Sequence, residues 1–509
     1  MCRTNGPVPP TWTSHLRPGD QPDAVDLLAA ESLPRAWARH FADAPERPAL
    51  GDASGRWITY GELDARSRVV AARLAAAGLQ PGERLLLCAA ASIDVAVAYV
   101  AAQRLGLIVV PANTAYTRRE LDHIVDVARP AGAIVDDDER AGWMQTARVV
   151  CRPEVDLDDG PLPPLDRAQR DDPALIIFTS GTTGAPKGAV LSSGNLLSGA
   201  EALRIAWRWT AEDRLVLALP LFHVHGLGVG LHGTLTAGAS AVLLPRFDVD
   251  DVLDAVGDER VTLFFGVPTM YARLAASPRC GELARLRLCV SGSAALPERL
   301  HDELVERASQ RVLERYGATE TVITISNPYD GERRAGSIGL PLPGVETRLA
   351  PGGEILLRGP SVFSGYWEDP AATQAAFTDD GWFRSGDIGS RDDDGYLRIV
   401  GRLKELIISG GYNVYPREVE DVLLAHPRVK EIAVAGLPSA QWGETVGAWV
   451  VPDGKLDLDE LAAYAEAGLV GYKRPRVVHV VDELPRNALG KVMRHELPGV
   501  RSADGGGPP

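Results

Sequence analysis

Short apolar segments alternate with amphipathic segments between residues 57 and 135 of the chain. In order, the pattern predicts a helix that starts behind a Thr59–Glu62 capping box and ends at Gly78, a strand at 84–89, a helix at 93–105, a strand at 108–111, a helix at 118–127 and a strand at 132–135. Strands joined by helices in this way pair in parallel, and the helices cover the faces of the sheet. The alternation resumes at Leu175 and continues to about Val345. The sequence therefore predicts an α/β fold.

Composition and charge narrow the classes of protein. The chain has 509 residues, of which 45% are hydrophobic, and its formal net charge of −15 argues against a nucleic-acid or anionic-membrane binder. Its five cysteines are widely spread and include no C-x-x-C pair, so neither a disulfide scaffold nor a structural zinc site is indicated. Residues 1–10 lack the features of a secretory signal, and Pro220 and several histidines interrupt the longest apolar stretch, 215–244. We therefore expect a cytoplasmic protein with no membrane span.

The character of the sequence changes twice towards the C-terminus. Residues 346–400 contain short strands with Gly, Pro and Asp turns, typical of a β-subdomain, and a smaller α+β unit follows Gly401. The sequence predicts a flexible N-terminus at 1–20, a large N-terminal domain of two helix-covered sheets plus the β-subdomain at 21–401, a small mobile α+β C-terminal domain at 402–500, and a flexible tail at 501–509.

A dense run of hydroxyl residues and glycines follows the apolar strand predicted at 174–178. Between Phe178 and Lys187 the candidate anion-binding residues are Thr179, Ser180, Gly181, Thr182, Thr183 and Gly184. Glycines let backbone N–H groups turn towards an anion, hydroxyls donate further hydrogen bonds, and Lys187 adds a positive charge, so the run predicts a polyphosphate loop. It is not a Walker A loop, which requires Gly-Lys-Ser/Thr, because the order here is Pro-Lys-Gly.

This loop resembles the signature of the adenylate-forming superfamily, which includes acyl-CoA synthetases, luciferases and peptide-synthetase adenylation domains. The resemblance covers roughly residues 50–495 and includes further motifs in the expected order. It implies that ATP activates a carboxylic acid as an acyl-adenylate with loss of pyrophosphate, and that a thiol then takes the acyl group. ATP, Mg²⁺ and coenzyme A are the implied cofactors.

The segment 314–320 (ERYGATE) resembles the adenine-site motif of this superfamily. The resemblance implies that Tyr316 stacks on the purine, that Thr319 donates to the α-phosphate, and that Glu320 holds Mg²⁺ together with Thr182. It assigns the ribose hydroxyls to Asp387 and Arg402. The remaining nucleotide-site residues that it implies are Ser293, Glu314 and Gly317.

The resemblance places the catalytic charge for adenylate formation on Lys491, in the C-terminal segment 485–491, with Thr319, Glu320 and Lys187 as the other catalytic residues. Lys404 falls where the family hinges, and rotation there is implied to exchange Lys491 for the segment 407–413 during transfer to the thiol. The residues implied to hold coenzyme A are Ser409, Gly410, Gly411, Tyr412, Trp442 and Lys473.

The segment 220–227 (PLFHVHGL) resembles the acyl-pocket motif, and within the superfamily the chain looks most similar to malonyl-CoA synthetases. No third ligand accompanies the H-x-H pair, so we do not interpret it as a metal site. A malonate-like acid needs a cation for its second carboxylate, and Arg287 is the candidate. The candidate acyl-site residues are His223, Arg287, Gly292, Ala318 and Val322.

Other features favour a larger apolar acid. Ala318 stands where the family often has Met, and Val322, Ile323 and Ile325 form an apolar segment. Malonate-like acids and bulky apolar acids both remain open as the substrate.

A free-standing ligase that loads a carrier-protein pantetheine, or that runs one half-reaction for a partner enzyme, remains the alternative to an acyl-CoA synthetase. The joint presence of the motif residues argues against a degenerate, purely nucleotide-binding member.

Overall fold

The computed structural model describes residues 11–179, 186–258, 260–439, 441–487 and 491–500. Within these ranges the chain forms two compact units. The first contains residues up to 347 together with 357–383, and the second contains 348–356 and 384–500. A division into compact units does not show which segments move as domains. The predicted mobile domain at 402–500 and the limits 21–401 therefore stay a prediction.

The described strands are β1 Pro48–Asp52, β2 Trp57–Thr59, β3 Arg84–Cys88, β4 Ile108–Pro111, β5 Gly132–Val135, β6 Val149–Cys151, β7 Pro173–Thr179, β8 Lys187–Ser192, β9 Arg214–Leu217, β10 Ser240–Leu243, β11 Leu263–Gly266, β12 Leu288–Ser291, β13 Leu313–Tyr316, β14 Ile325–Ser326, β15 Leu340–Pro341, β16 Glu346–Leu349, β17 Glu354–Arg358, β18 Gly365–Tyr366, β19 Phe383–Arg391, β20 Leu397–Arg402, β21 Ile407–Ser409, β22 Tyr412–Val414, β23 Val429–Ser439, β24 Gly443–Pro452 and β25 Val477–Val480.

The described α-helices are α1 Leu33–Asp43, α2 Tyr60–Ala76, α3 Ile93–Leu105, α4 Arg118–Ala128, α5 Asp138–Trp143, α6 Ser193–Ala206, α7 His232–Ala237, α8 Val249–Val256, α9 Pro268–Ala276, α10 Glu298–Ala308, α11 Pro370–Ala376, α12 Pro416–Leu424 and α13 Leu458–Gly468. A π-helix, His225–Leu231, runs directly into α7. Short 3₁₀ segments occur at Thr11–His15, Pro22–Ala24, Cys280–Arg285, Leu403–Glu405 and Arg494–Glu496.

Two large sheets dominate the described part of the first unit. Their strand orders are β15-β14-β13-β12-β11-β9-β10-β1-β2 and β18-β8-β7-β4-β3-β5-β6. The central strands are parallel, and all four residues of each of β4, β5, β9 and β11 are buried, as expected for sheets covered on both faces. The fold-class prediction of two helix-covered sheets is confirmed. Helix 93–105 and the strands at 108–111 and 132–135 have the predicted bounds.

The strand register brings several chain turns to one sheet edge. Val290 pairs with Leu313 and Ser291 pairs with Glu314, so the parallel strands β12 and β13 end side by side. In open α/β sheets, ligands bind outside the carboxyl ends of the strands. The segments after Ser291 and after Tyr316 are therefore in the position where a ligand site is expected.

Two smaller sheets contain the later strands. One has the order β16-β17-β19-β20, and the other has the order β22-β21-β24-β23 with β25 beside β24. In the second of these, α12 and α13 cover a core that includes Val434, Val446 and Val450. This arrangement confirms the smaller α+β unit that the sequence predicts.

The flexibility predicted for residues 1–20 stays a prediction, and residues 11–20 belong to the described part of the chain. A 3₁₀ segment ends at His15, which is buried, and its Nε2 lies 3.3 Å from the carbonyl oxygen of Leu340. This contact joins the segment to β15. Residues 1–10 and 501–509 lie outside the described residues. Nowhere in the described ranges does a helix combine the length and the apolarity needed to cross a membrane.

Candidate active site

The predicted adenine-site residues Tyr316 and Gly317 lie where β13 ends and the following turn begins. Backbone and side-chain hydrogen bonds fix the residues that follow. The N–H of Ala318 donates to Thr321 Oγ1 at 3.1 Å, and the N–H of Phe363 donates to the carbonyl oxygen of Glu320 at 2.7 Å. Thr319 and Glu320 are therefore presented on a braced turn at the carboxyl edge of the sheet.

Glu320 and Lys187 are brought together by a residue that the sequence analysis missed. The Tyr366 hydroxyl donates to Glu320 Oε1 at 2.9 Å, and Lys187 Nζ lies 5.5 Å from the centre of the Tyr366 ring. Burial, followed by the charge of Glu320, raises the pKa of Tyr366, so its proton stays on the oxygen. A hard carboxylate beside a lysine suits Mg²⁺ and phosphate together.

The predicted polyphosphate loop is closed at its base by a strand pair. Thr179 at the end of β7 pairs with Lys187 at the start of β8, and Thr179 Oγ1 donates to the Lys187 carbonyl oxygen at 3.4 Å. The other predicted loop residues lie outside the described residues: Ser180, Gly181, Thr182, Thr183 and Gly184.

A cluster of His, Ser and Arg side chains lies at the end of β12. His225, at the start of the π-helix, has its Nδ1 3.3 Å from Ser293 Oγ, and its N–H donates to His223 Nδ1 at 3.2 Å. Gly292 lies against Arg315, because a Cβ added at Gly292 would be 2.3 Å from the Arg315 Cζ. The predicted residues His223, Gly292 and Ser293 therefore come together, and His225 and Arg315 join them without having been predicted.

Both histidines are neutral at pH 7. Burial, with a smaller effect from the charge of Arg315, lowers the pKa of His223 to about 4. The same causes, with a contribution from His223, lower the pKa of His225 well below its usual value. A neutral imidazole has one N–H donor and one acceptor nitrogen, so this pair can position a ligand without adding charge.

Arg287, the candidate cation for the acyl pocket, does not join this cluster. It precedes β12, at the opposite end of the strand from Gly292, and its Nε and Nη2 each lie 2.6 Å from an Asp213 carboxylate oxygen. Its guanidinium also donates to the carbonyl oxygens of Trp207 and Arg208. The proposed acyl-site role of Arg287 is corrected by this position, because its charge and donors are already used inside the fold.

The remaining first-unit predictions are placed as follows. Glu314 is buried, and its Oε1 accepts a hydrogen bond at 3.1 Å from the N–H of Leu296, which steadies the segment after Ser293. Val322 is 1% exposed, faces Gly199 and Gly228, and has a φ of +57°. A β-branched residue in the left-handed region is a backbone outlier of the kind found at functional sites.

The second unit gathers three predicted residues that are far apart in sequence. Asp387 on β19 pairs with Arg402 on β20, and Arg402 Nε lies 3.0 Å from Asp387 Oδ1. Burial lowers the pKa of Lys491 to about 8. The positive charges of Arg402 and Lys404 also lower it, while Glu405 and Asp387 act in the opposite direction. The predicted adenylation lysine therefore lies within electrostatic range of both predicted ribose residues.

The residues predicted to hold coenzyme A share another face of the second unit. Ser409 and Tyr412 pair across a turn whose central residues, Gly410 and Gly411, have φ values of +59° and +83°. Gly410 N–H donates to the Trp442 carbonyl oxygen at 2.9 Å. The Tyr412 ring stacks on Tyr472 with centroids 4.6 Å apart, and Lys473 Nζ lies 2.5 Å from Glu418 Oε1.

Comparison with known families decides the general class of this site. A model described as AMP-binding enzyme matches residues 37–367, and a model described as AMP-binding enzyme C-terminal domain matches residues 418–491. The chain belongs to the AMP-binding enzyme family. The resemblance to the adenylate-forming superfamily that the sequence motifs indicated is thereby confirmed.

Relatives of this AMP-binding enzyme act on different acids. A feruloyl-CoA synthase from Amycolatopsis sp is 38% identical over 464 residues, which is 87% of this chain and 94% of that protein. A malonate–CoA ligase from Arabidopsis thaliana is 40% identical over 367 residues, which is 64% of this chain and 60% of that protein. The crystal structure of ATP-bound MatB from Rhodopseudomonas palustris matches with a TM-score of 0.87 and 40% identity, covering 92% of this chain and 98% of that one.

The chain is accordingly an AMP-forming acid–thiol ligase of the acyl-CoA ligase type, with ATP, Mg²⁺ and coenzyme A as cofactors. The prediction of similarity to malonyl-CoA synthetases is also confirmed. The chemistry of Glu320 fits Mg²⁺, which prefers one or two carboxylate oxygens completed by water and phosphate oxygens.

Proposed function

We propose that this AMP-binding enzyme is an acyl-CoA synthetase that joins a carboxylic acid to AMP, releases pyrophosphate, and passes the acyl group to coenzyme A. The observation that carries the proposal is the grouping of Lys491 with Asp387 and Arg402 in the second unit. A lysine kept within range of a buried carboxylate and its partly exposed arginine partner suits a site where a ribose and an α-phosphate are bound side by side.

Each residue has a distinct task in the proposed first half-reaction. Asp387 and Arg402 hold the ribose hydroxyls, Tyr316 stacks on the adenine, and Thr319 donates to the α-phosphate. Lys491 stabilises the charge that develops on the α-phosphate as the carboxylate attacks, which is electrostatic catalysis rather than proton transfer. Glu320 would hold Mg²⁺, which would supply positive charge beside the phosphates. Lys187 adds a second cation at the base of the polyphosphate loop.

For the second half-reaction we propose coenzyme A as the acceptor. The segment from Ser409 to Tyr412 is supported in this role by its two-glycine turn, which leaves room for a pantetheine arm, and by the exposed Tyr412 ring. Trp442 and Lys473 lie at the border of the same face. Loading of a carrier-protein pantetheine is the second candidate, and thioester yield with coenzyme A against a holo-carrier protein separates the two.

The test of the first half-reaction uses Lys491→Ala. We expect adenylate formation, followed as pyrophosphate release, to fall by roughly 10²–10³-fold, which is the usual effect of losing one preorganised transition-state donor. Transfer of the acyl group from a supplied acyl-adenylate to coenzyme A should continue. An equal loss in both half-reactions would show that Lys491 acts structurally.

We also propose a cytoplasmic location. The described cysteines are free thiols, three of them buried, and burial raises the pKa of Cys88 to about 12 and that of Cys289 to about 12. Free thiols in this number are typical of proteins kept in a reducing compartment.

The acid itself belongs to one of two classes. The apolar side chain of Val322 and the small Ala318 favour a bulky apolar acid, whereas the polar cluster of His223, His225 and Arg315 favours an acid with a second charged group.

A further inference from the structure

Arg494 joins the segment that carries Lys491 to the rest of the second unit. Its Nη2 lies 2.7 Å and 2.9 Å from the two carboxylate oxygens of Glu420 on α12, and its Nη1 lies 3.0 Å from Glu405 Oε2. Its Nε donates to the carbonyl oxygen of Val434 on β23 at 3.0 Å. All three nitrogens of the guanidinium are therefore engaged, and they connect three other parts of the chain to this segment.

Lys491 lies three residues before Arg494, and local hydrogen bonds fix its backbone. The N–H of Lys491 donates to Asn487 Oδ1 at 3.0 Å, and the N–H of Asn487 donates to the Lys491 carbonyl oxygen at 2.9 Å. The N–H of Met493 donates to the Pro485 carbonyl oxygen at 2.8 Å. The side chain of Arg494 thus holds a segment whose own backbone is already fixed at Lys491.

Two acids act on the charge of Lys491, and each of them is already paired with an arginine. Asp387 Oδ1 lies 3.0 Å from Arg402 Nε, and Glu405 is paired with Arg494. Lys491 itself forms no ion pair with any residue that the structure describes. Its ammonium is therefore left for a ligand, although both acids are close enough to act on it.

The charge balance at Lys491 depends on which cation holds Glu405. Burial, with the charges of Arg402 and Lys404, lowers the pKa of Lys491 to about 8, and Glu405 acts in the opposite direction. A carboxylate that loses its arginine attracts a neighbouring ammonium more strongly, because its charge is no longer compensated. A direct ion pair between Glu405 and Lys491 would also occupy the ammonium that the α-phosphate requires.

We propose that Arg494 is a positioning residue for adenylate formation, which withholds Glu405 from Lys491 and so keeps the lysine ammonium available for the α-phosphate. This inference rests on the proposed acyl-CoA synthetase function. Arg494 acts through Glu405 and not on the substrate directly. Glu420 anchors the arginine in this position, because its Oε1 also accepts from the N–H of Val434 at 2.7 Å and is thereby tied to β23.

The kinetic test follows pyrophosphate release against pH in Arg494→Met, Glu405→Gln and the double variant. In Arg494→Met, we expect a loss of roughly tenfold or more at pH 7, and an upward shift of about one pH unit in the midpoint of the alkaline decline of kcat/KM. Glu405→Gln alone should move the midpoint downward, because it removes an anion that raises the pKa of Lys491. The double variant should recover part of the lost rate, and its midpoint should lie below that of Arg494→Met.

Arg417→Met is the matched control, since it removes another arginine of α12 whose partner, Asp421, is exposed. Its rate and its midpoint should equal those of the wild type. In every variant, transfer of the acyl group from a supplied acyl-adenylate to coenzyme A should continue. An equal loss in both half-reactions, or an unshifted midpoint in Arg494→Met, would overturn the inference.

A second variant covers the case in which Arg494→Met does not fold, because that change leaves Glu420 and Glu405 without their cation. Arg494→Lys keeps the positive charge but offers one nitrogen in place of three. It should therefore give a smaller upward shift, which Glu405→Gln again reverses. An unshifted midpoint in Arg494→Lys together with an unshifted midpoint in Glu405→Gln would overturn the inference in the same way.

A labelling measurement keeps the inference separate from catalysis. The rate at which acetic anhydride modifies Lys491 in the ligand-free protein is followed against pH by peptide mass spectrometry, because only the uncharged amine reacts. Relative to the wild type, the midpoint of this profile should rise in Arg494→Met and fall in Glu405→Gln.

These results assign any failure to one of the two proposals. Opposite shifts of the labelling midpoint, in a protein that forms no AMP from any acid, would reject the proposed synthetase function and support the hold of Arg494 on Glu405. AMP formation with no shift in the labelling midpoint or in the alkaline decline would support the synthetase and reject the role of Arg494.

Discussion

Adenylate formation should depend on the protonation of Lys491, and this gives a pH profile that can be worked out in advance. Burial and two nearby cations lower the pKa of Lys491 to about 8. The charged form, which is the form that stabilises the α-phosphate, therefore predominates below pH 8 and is lost as the pH rises above it. About nine-tenths of the enzyme carries the charge at pH 7 and about one-tenth at pH 9.

The expected result is a decrease of about ninefold in kcat/KM between pH 7 and pH 9, measured as pyrophosphate release at low substrate concentration, where the profile reports the free enzyme. Lys491→Arg is the matched variant, because a guanidinium stays charged throughout this range. Its rate should be lower than that of the wild type but independent of pH. A wild-type profile that is flat to pH 9, or the same decline in Lys491→Arg, would refute the assignment.

Three further predictions address the thiol step, the phosphate site and the fold. Gly411→Leu should leave pyrophosphate release unchanged and block thioester formation, so normal thioester yield measured by chromatography would count against a pantetheine path there. Tyr366→Phe should lower kcat/KM for adenylate formation by roughly tenfold, because Glu320 loses a hydrogen bond that orients it, and an unchanged rate would mean that Tyr366 only packs. Arg104→Met should reduce the free energy of unfolding by about 2–3 kcal/mol in a denaturant titration, since it removes charge-assisted hydrogen bonds to the partly exposed carboxylates of Asp64 and Asp166. A loss below about 1 kcal/mol would contradict the pairing argument.

The sequence predicted the fold well where local signals agree with burial. Helix α3 has the predicted bounds because Ser92 caps its first turn and Gly106 ends it in the left-handed conformation. The resemblance supplied Lys491, Asp387 and Arg402, whose grouping depends on a strand pair and a distant segment that no local pattern in the sequence joins.

The sequence failed where the answer depends on long-range pairing. Arg287 directly precedes β12 and Arg315 lies in β13, and nothing local in the sequence distinguishes the two arginines. Asp213, which lies 74 residues before Arg287 in the chain, engages the first, whereas the second has no such partner among the described residues. Tyr366 was missed for the same reason, because its strand pairs with β8 and Glu320 approaches it from another part of the chain.

The π-helix that begins at His225 also restricts how this enzyme can acquire new substrates. A methyl group added to Gly226 would lie 2.2 Å from the carbonyl oxygen of Pro220, and one added to Gly230 would lie 2.5 Å from the side chain of Leu217. The π-helix therefore packs closely against Leu217 of β9 and the backbone at Pro220. It cannot move towards them to make room for a larger ligand. Divergence towards larger acids would have to proceed by shortening other side chains, as at Ala318, while the π-helix keeps its position.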